Sequence, residues 1–199
     1  MISYKVFDEA RDYIIENNKG VDNPYHNNKH IFFVFTMSMK LFDIYRQEHD
    51  LKSEDRICLG LAALFHDFNH SGGKLKDNEN IELAIEGLND FLLYEDRIDI
   101  NKIISIIKAT EFPHKQMDLN MLQKIIRDAD TMGGISDNWF DIVTSLASEL
   151  KKNLIDFIPI QLGFLNNIKF NTSYCNNLLE DRRDIIKKEL LKIQSDLTK

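Results

Sequence analysis

The residues with the most chemistry to offer are His26 and His30 in "NPYHNNKH", His66, Asp67 and His70 in "FHDFNH", and Asp130 in "RDADTMG". Imidazole nitrogens and carboxylate oxygens are the ordinary ligands of zinc, iron and manganese. His30, His66, Asp67 and Asp130 would supply two of each. A catalytic metal keeps a position open for water, so three or four protein ligands suffice. His66 and Asp67 are adjacent, and adjacent residues point about 100° apart on a helix. They meet at one ion if the helix ends there, which the following "FNHSGG" implies. Asp130 stands near a helix C-terminus, where the helix dipole disfavours negative charge, and a cation would remove that penalty. The plainer alternatives are a polar helix start for His30 and a turn former for Asp130.

These residues need elements that end where they stand. Glycine and proline are scarce, 8 and 3 in 199 residues, and apolar residues recur at helical rather than alternating spacing. Tyr4, Phe7 and Ile14 share one face of a first helix. Phe33, Met37, Leu41 and Ile44 continue that spacing in a second, from about 28 to 49. Ser53 is positioned to cap a third, "SEDRICLGLAALFHD", with acids in its first turn. Further helices are expected over 79–94, 99–109, 118–129, 137–152, 155–170 and 177–196. The breaks are "VDNPYHNN", "NHSGGKLKDN", "EFPHKQMD" and "ADTMGGISD". Five of the six histidines, His26, His30, His66, His70 and His114, fall at or near them, so side chains from several helices can converge there. The expectation is an all-α chain, one compact domain over 1–199 of about eight or nine helices.

Bulk properties narrow the partners. A net charge of -7 gives no basic footprint for nucleic acid or an anionic membrane. A phosphate substrate stays possible, because a bound metal reverses the local potential. No apolar run approaches the roughly 20 residues needed to span a bilayer. The amphipathic "MISYKVFDEA" is not a signal peptide. Two cysteines form no disulfide framework, and Cys58 lies in an apolar run, so a reducing, cytoplasmic setting is expected. Trp139 reads as packing, and "EDRRDIIKKELLKIQ" as a solvated amphipathic helix. The oligomeric state stays open.

The ordered set His…His-Asp…Asp resembles the HD superfamily of metal-dependent phosphohydrolases. Six blocks across 23–168 resemble, more narrowly, the catalytic domain of class I cyclic-nucleotide phosphodiesterases in shortened form. "PYHNNKH" is similar to their Tyr-His-Asn-x-x-His and "HDFNHSG" to their His-Asp-x-x-His-x-Gly. "DNENIELA" resembles their Asp-x-x-x-x-Glu, and "IIKATEFPHK" their Ala-Thr-Asp-x-x-x-His. "RDADTMG" carries their Ala-Asp, and "IQLGFLNNI" is similar to their Gln-x-Gly-Phe block. The chain departs from the family at Gly133, where the family has Asn, and in "ELAIEG", which lacks the family's paired histidines.

The resemblance implies a division of labour. His30, His66, Asp67 and Asp130 hold a first metal, zinc, and Asp67 bridges to a second, magnesium or manganese. His70, Glu82 and Thr110 hold metal-bound waters. His26 is the general acid, and Tyr25, Gln161 and Phe164 bind substrate. Gln161 and Phe164, at i and i+3, share a helix face. Two divalent ions neutralise a cyclic phosphodiester and bring a bridging water toward a pKa near 7, so that hydroxide attacks phosphorus. A histidine with a pKa of about 6.5 protonates the departing 3′ oxygen. The expected reaction is hydrolysis of cyclic AMP or cyclic GMP to the 5′-monophosphate. Two readings stand beside it: an HD phosphohydrolase acting on a cyclic oligonucleotide or a 5′-nucleotide, and a module that binds a nucleotide without turnover.

Overall fold

With few helix breakers, the helical pattern runs almost unbroken from end to end. The computed structural model describes residues 4–93, 98–114 and 117–199. Among these the chain is all-α, with nine α-helices and no strand. They are α1 (Lys5–Asn17), α2 (Asn28–Tyr45), α3 (Ser53–Phe65), α4 (Asp77–Phe91), α5 (Ile100–Lys108), α6 (Met121–Thr131), α7 (Trp139–Glu149), α8 (Leu154–Asn167) and α9 (Ser173–Leu197), with a 3-10 turn over Met132–Ile135. Two expected features, the end of a helix at Tyr94 and Lys115-Gln116 in the "EFPHKQMD" break, lie outside the described residues. No helix among the described residues is long and apolar enough to cross a membrane.

The chain divides into two compact units, Met1–Asp130 and Thr131–Lys199. In the first, α3 packs against α1, α2, α4 and α5. Every residue from Ile57 to Phe65 is buried, as expected of a helix that is apolar all round. Cys58 belongs to this core and is a free thiol. Ser53 does not cap α3. It is the first helical residue, and Asp55 instead reaches back to accept from the Lys52 N–H at 2.7 Å. A carboxylate in the first turn gains from the helix dipole as well as from the hydrogen bond, so it competes well with a serine hydroxyl. In the second unit, α8 buries Phe157, Ile158 and Leu165, while α9, which packs on it, buries Cys175, Leu179, Ile186 and Leu190. Trp139 is also buried there.

The core of the first unit reaches the site through Phe68, the residue after His66-Asp67. Phe68 is 2% exposed, and its ring lies where a Cβ on Gly87 of α4 would stand, 2.1 Å from Cδ1. Gly87→Ala forces this packed ring to move. The expected loss of stability is about 1–3 kcal/mol, read as a lower midpoint in chemical denaturation. An unchanged midpoint would show that the α4–Phe68 contact is slack.

Candidate metal centre

Two helices end and one begins where the four ligand candidates meet. α3 ends at Phe65 and delivers His66 and Asp67. α6 carries Asp130 in its last turn. α2 starts at Asn28, capped by the Asn27 side chain, which accepts from Lys29 N–H at 2.8 Å and His30 N–H at 3.4 Å. This cap sets the first turn of α2 and with it His30.

The four side chains form one cluster within the first unit. His30 Nε2 is 3.1 Å from both Asp67 Oδ2 and Asp130 Oδ1. His66 Nε2 is 3.2 Å from Asp67 Oδ2, 3.6 Å from Asp130 Oδ1 and 3.3 Å from His30 Nε2. His66 Nδ1 donates to the Ala63 carbonyl at 2.9 Å, which leaves the Nε2 lone pair facing the cluster in the neutral ring. Four electron-rich atoms therefore converge in a buried place. Ligand bonds of about 2.05 Å require separations of about 3.3 Å around a tetrahedral ion, and bonds of about 2.1 Å about 3.0 Å between neighbours around an octahedral one. The observed separations of 3.1–3.6 Å span the tetrahedral value and start just above the octahedral one, so this donor set fits a divalent cation.

Without a cation, protons must do its work. Burial disfavours charge on His30, but hydrogen bonds that its ring donates to Asp130 and Asp67 outweigh it and raise its pKa. For His66 burial is likewise outweighed, chiefly by the charge of Asp67, and its pKa stands well above the ordinary imidazole value. Burial would raise Asp67, yet His66, then His26, hold it well below the usual carboxylate range. Asp130 is lowered against burial by hydrogen bonds from His30 and His66.

The general-acid candidate stands beside the cluster. The His26 ring stacks on His70, with centroids 3.8 Å apart and planes 29° apart, and its centroid is 5.6 Å from that of His30. His26, Asp67 and His70 bring ligand-type atoms within 4.8 Å of one another. Asn23 ties the two histidines together, since its Nδ2 donates to the carbonyls of His26 at 3.0 Å and His70 at 2.8 Å. The Tyr25 ring lies 4.6 Å from both His26 and His30.

Of the three water-holding candidates, His70 is at the cluster and buried. Glu82 is not: its side chain is 64% exposed and lies 4.0 Å from Lys108 Nζ. Asn80, two residues earlier on α4, is buried and sets Nδ2 2.9 Å from His70 Nε2. Thr110 is buried, and its hydroxyl donates to the Ile107 carbonyl at 2.8 Å. Sequence reasoning missed Asn23, Asn80 and Asp77. Asp77 has a raised pKa, first from burial and then from Asp67 and Asp130, countered by the Phe112 N–H. His114 is lowered by burial and Arg127. Gln161 and Phe164 belong to the second unit. There Gln161 is buried and donates from Nε2 to the Gly134 carbonyl at 3.2 Å. A Cβ on Gly134 would stand 3.2 Å from both that Nε2 and Phe164 Cε1.

Two outcomes follow from the donor set. Asp130→Ala should weaken metal affinity by at least about tenfold, read as metal content after dialysis; full content in the variant would exclude Asp130 as a ligand. Metal binding should also release protons, because the neighbouring aspartates favour the protonated form of both imidazoles whereas a cation needs them neutral. Stability from these histidines is present below about pH 6.5 and lost as pH rises through their raised values. Stability from the lowered carboxylates is present above about pH 4 and lost as pH falls through theirs. Metal affinity should therefore climb with pH. Calorimetric binding enthalpies that do not change with buffer ionisation enthalpy would contradict this.

The chain matches no protein-family model and no curated protein. It is similar in fold to three solved structures. The Lin1889 protein of Listeria innocua has 18% identity and a TM-score of 0.64, covering 100% of this chain and 98% of that one. Bacillus subtilis YpgQ in complex with ADP has 18% identity and a TM-score of 0.62, covering 96% and 97%. A Lactobacillus plantarum protein has 14% identity and a TM-score of 0.69, covering 100% and 99%. At these identities the likeness is one of all-α fold over the whole chain.

Proposed function

We propose that this protein is an HD-type, metal-dependent phosphohydrolase that opens the 3′,5′-cyclic phosphate of a nucleotide. The observation that carries the reading is the convergence of His30, His66, Asp67 and Asp130 with His26 beside them but outside the set of four. Divalent cations bound by these ligands would neutralise the phosphodiester and make water a nucleophile near neutral pH. The chain's own residues then supply orientation and a proton. The resemblance makes Asp67 the carboxylate that would also reach a second ion, held otherwise by water rather than by His26 and His70. His70 stacks on His26 and limits its tilt. His26 donates its proton to the departing 3′ oxygen, which leaves poorly as an alkoxide. Tyr25 adjoins both rings and is the substrate-contact candidate of the first unit. The resemblance to cyclic-nucleotide phosphodiesterases adds zinc with magnesium or manganese as the metals, and Gln161 and Phe164 as base contacts.

A second reading has one specific observation behind it. The similar YpgQ structure is a complex with ADP, a 5′-nucleotide, so hydrolysis of a 5′-nucleotide at the same metal centre is the alternative substrate class. Incubating the protein and manganese with cyclic mono- and dinucleotides and with 5′-mono-, di- and triphosphates, with product analysis, separates the two. Turnover of 5′-nucleotides alone would replace the cyclic substrate, and turnover of none would leave a binding module.

The acid role has its own test. His26→Ala should retain metal yet lose roughly 10²–10⁴-fold in kcat on a cyclic nucleotide. A p-nitrophenyl phosphodiester, whose leaving group needs little protonation, should recover most of that loss. Equal losses on both substrates would make His26 a positioning residue.

A further inference from the structure

His26 takes its orientation from His70, because the two rings lie face to face with centroids 3.8 Å apart and planes 29° apart. The plane of His70 is set in turn at the edge of its own ring. Its Nδ1 faces the Gly72 N–H at 3.2 Å, and its Nε2 faces Asn80 Nδ2 at 2.9 Å. Asn80 stands one turn into α4, a helix that carries none of the four ligand candidates. The residue is 4% exposed, and the other end of its amide is also committed, with Oδ1 accepting from the Ser71 N–H at 3.0 Å. One side chain therefore holds both the His70 ring and the backbone just after it.

α4 can act as the anchor because it is packed. Ile81, Ala84 and Leu88 are buried on it, and it lies against α3 and α5. A histidine ring turns easily about its last torsion, whose wells are broad. A polar partner at the ring edge narrows that rotation, and away from water the contact is electrostatically stronger than at the surface. We propose that Asn80 is a positioning residue for the proton donor: through His70 it fixes the plane in which the His26 imidazole stands beside the metal ligands. Its action passes from amide to ring to ring and needs no contact with substrate or metal. This rests on the reading of His26 as the acid of a nucleotide hydrolase.

The test uses the full chain with manganese and the variants Asn80→Ala and Asn80→Asp. Asn80→Ala should keep its metal through dialysis and leave KM for a cyclic nucleotide little changed. Its kcat on that substrate should fall about 10- to 100-fold, the scale of a reacting group misplaced by about 1 Å. A p-nitrophenyl phosphodiester, whose leaving group needs little protonation, should be turned over nearly as by wild type. Asn80→Asp keeps an acceptor for the Ser71 N–H and a polar atom facing His70, so it should recover most of the rate. Equal losses on the two substrates, loss of metal, or no loss on either would overturn the proposal. Proton NMR of the chain with zinc reads the same geometry without turnover. The stack shifts the His26 ring protons upfield in wild type, and Asn80→Ala should move them toward the positions of a free imidazole. Unchanged His26 signals in Asn80→Ala would overturn the proposal whatever the rates. If wild type turns over nothing while these signals move, the hydrolase reading falls and the positioning of His26 by Asn80 stands. Should Asn80→Ala not fold, Asn80→Ser, whose hydroxyl ends one bond short of the amide nitrogen, takes its place with the same expectations.

Discussion

Four lone-pair-bearing atoms gathered within 4.8 Å of one another at the end of a buried helix cannot stay there uncompensated. Everything around them in the first unit serves to hold them there. α3 is apolar on every side from Ile57 to Phe65, so its axis is set by the packing of four other helices. His66 and Asp67 inherit that rigidity. The His66 ring is further locked by its Nδ1–H to the Ala63 carbonyl. Protons can satisfy the cluster only by charging two buried imidazoles. A divalent cation would satisfy it with neutral imidazoles and both carboxylates ionised.

Asparagines in the loops perform the positioning that helices cannot. Asn18 accepts from Gly20 and Asn69 backbone N–H groups and donates to Asn28. Asn69 takes a left-handed backbone conformation, φ 62°, and accepts in turn from Lys19 N–H at 2.8 Å. Asn23 then joins His26 to His70, and Gly72, at φ 67°, lets the chain pass so close that a Cβ would stand 2.5 Å from the Asn23 side-chain oxygen. Two loops far apart in sequence are in effect stitched together by amides, which are uncharged, short and able to donate and accept at once.

The helices were legible from apolar spacing, but not always their buried face: of Phe33, Met37, Leu41 and Ile44 only Leu41 is buried, and α2, apolar on more than one side, buries Ile31, Val34, Phe42 and Tyr45 instead. The four candidates could be singled out because histidine is scarce, 6 in 199 residues, and each of the four stands near a helix boundary; the structure brings them together. What was not legible depends on helix phase and on long-range hydrogen bonds. Glu82 and Asn80 are two residues apart on α4 and so about 200° apart around it. Only three-dimensional packing decides that Asn80 faces His70 while Glu82 meets solvent and Lys108. The same holds for Ser53 and Asp55, both plausible caps, of which the carboxylate makes the bond. Asp77 was expected in the break "NHSGGKLKDN" and opens α4 instead, and its tie to Phe112 N–H spans 35 residues.

The group His26, Asp67 and His70 has the residue types of a second three-ligand metal site, and geometry argues against using it so. His70 Nδ1 receives the Gly72 N–H at 3.2 Å, and its Nε2 faces the Asn80 amide at 2.9 Å. Both ring nitrogens are thus engaged by protein, and neither lone pair is free to bind an ion without breaking a buried contact. His70 serves better as the surface against which His26 lies flat. His26 lies flat on that ring, with centroids 3.8 Å apart, so the stacking fixes the plane of its imidazole beside the cluster.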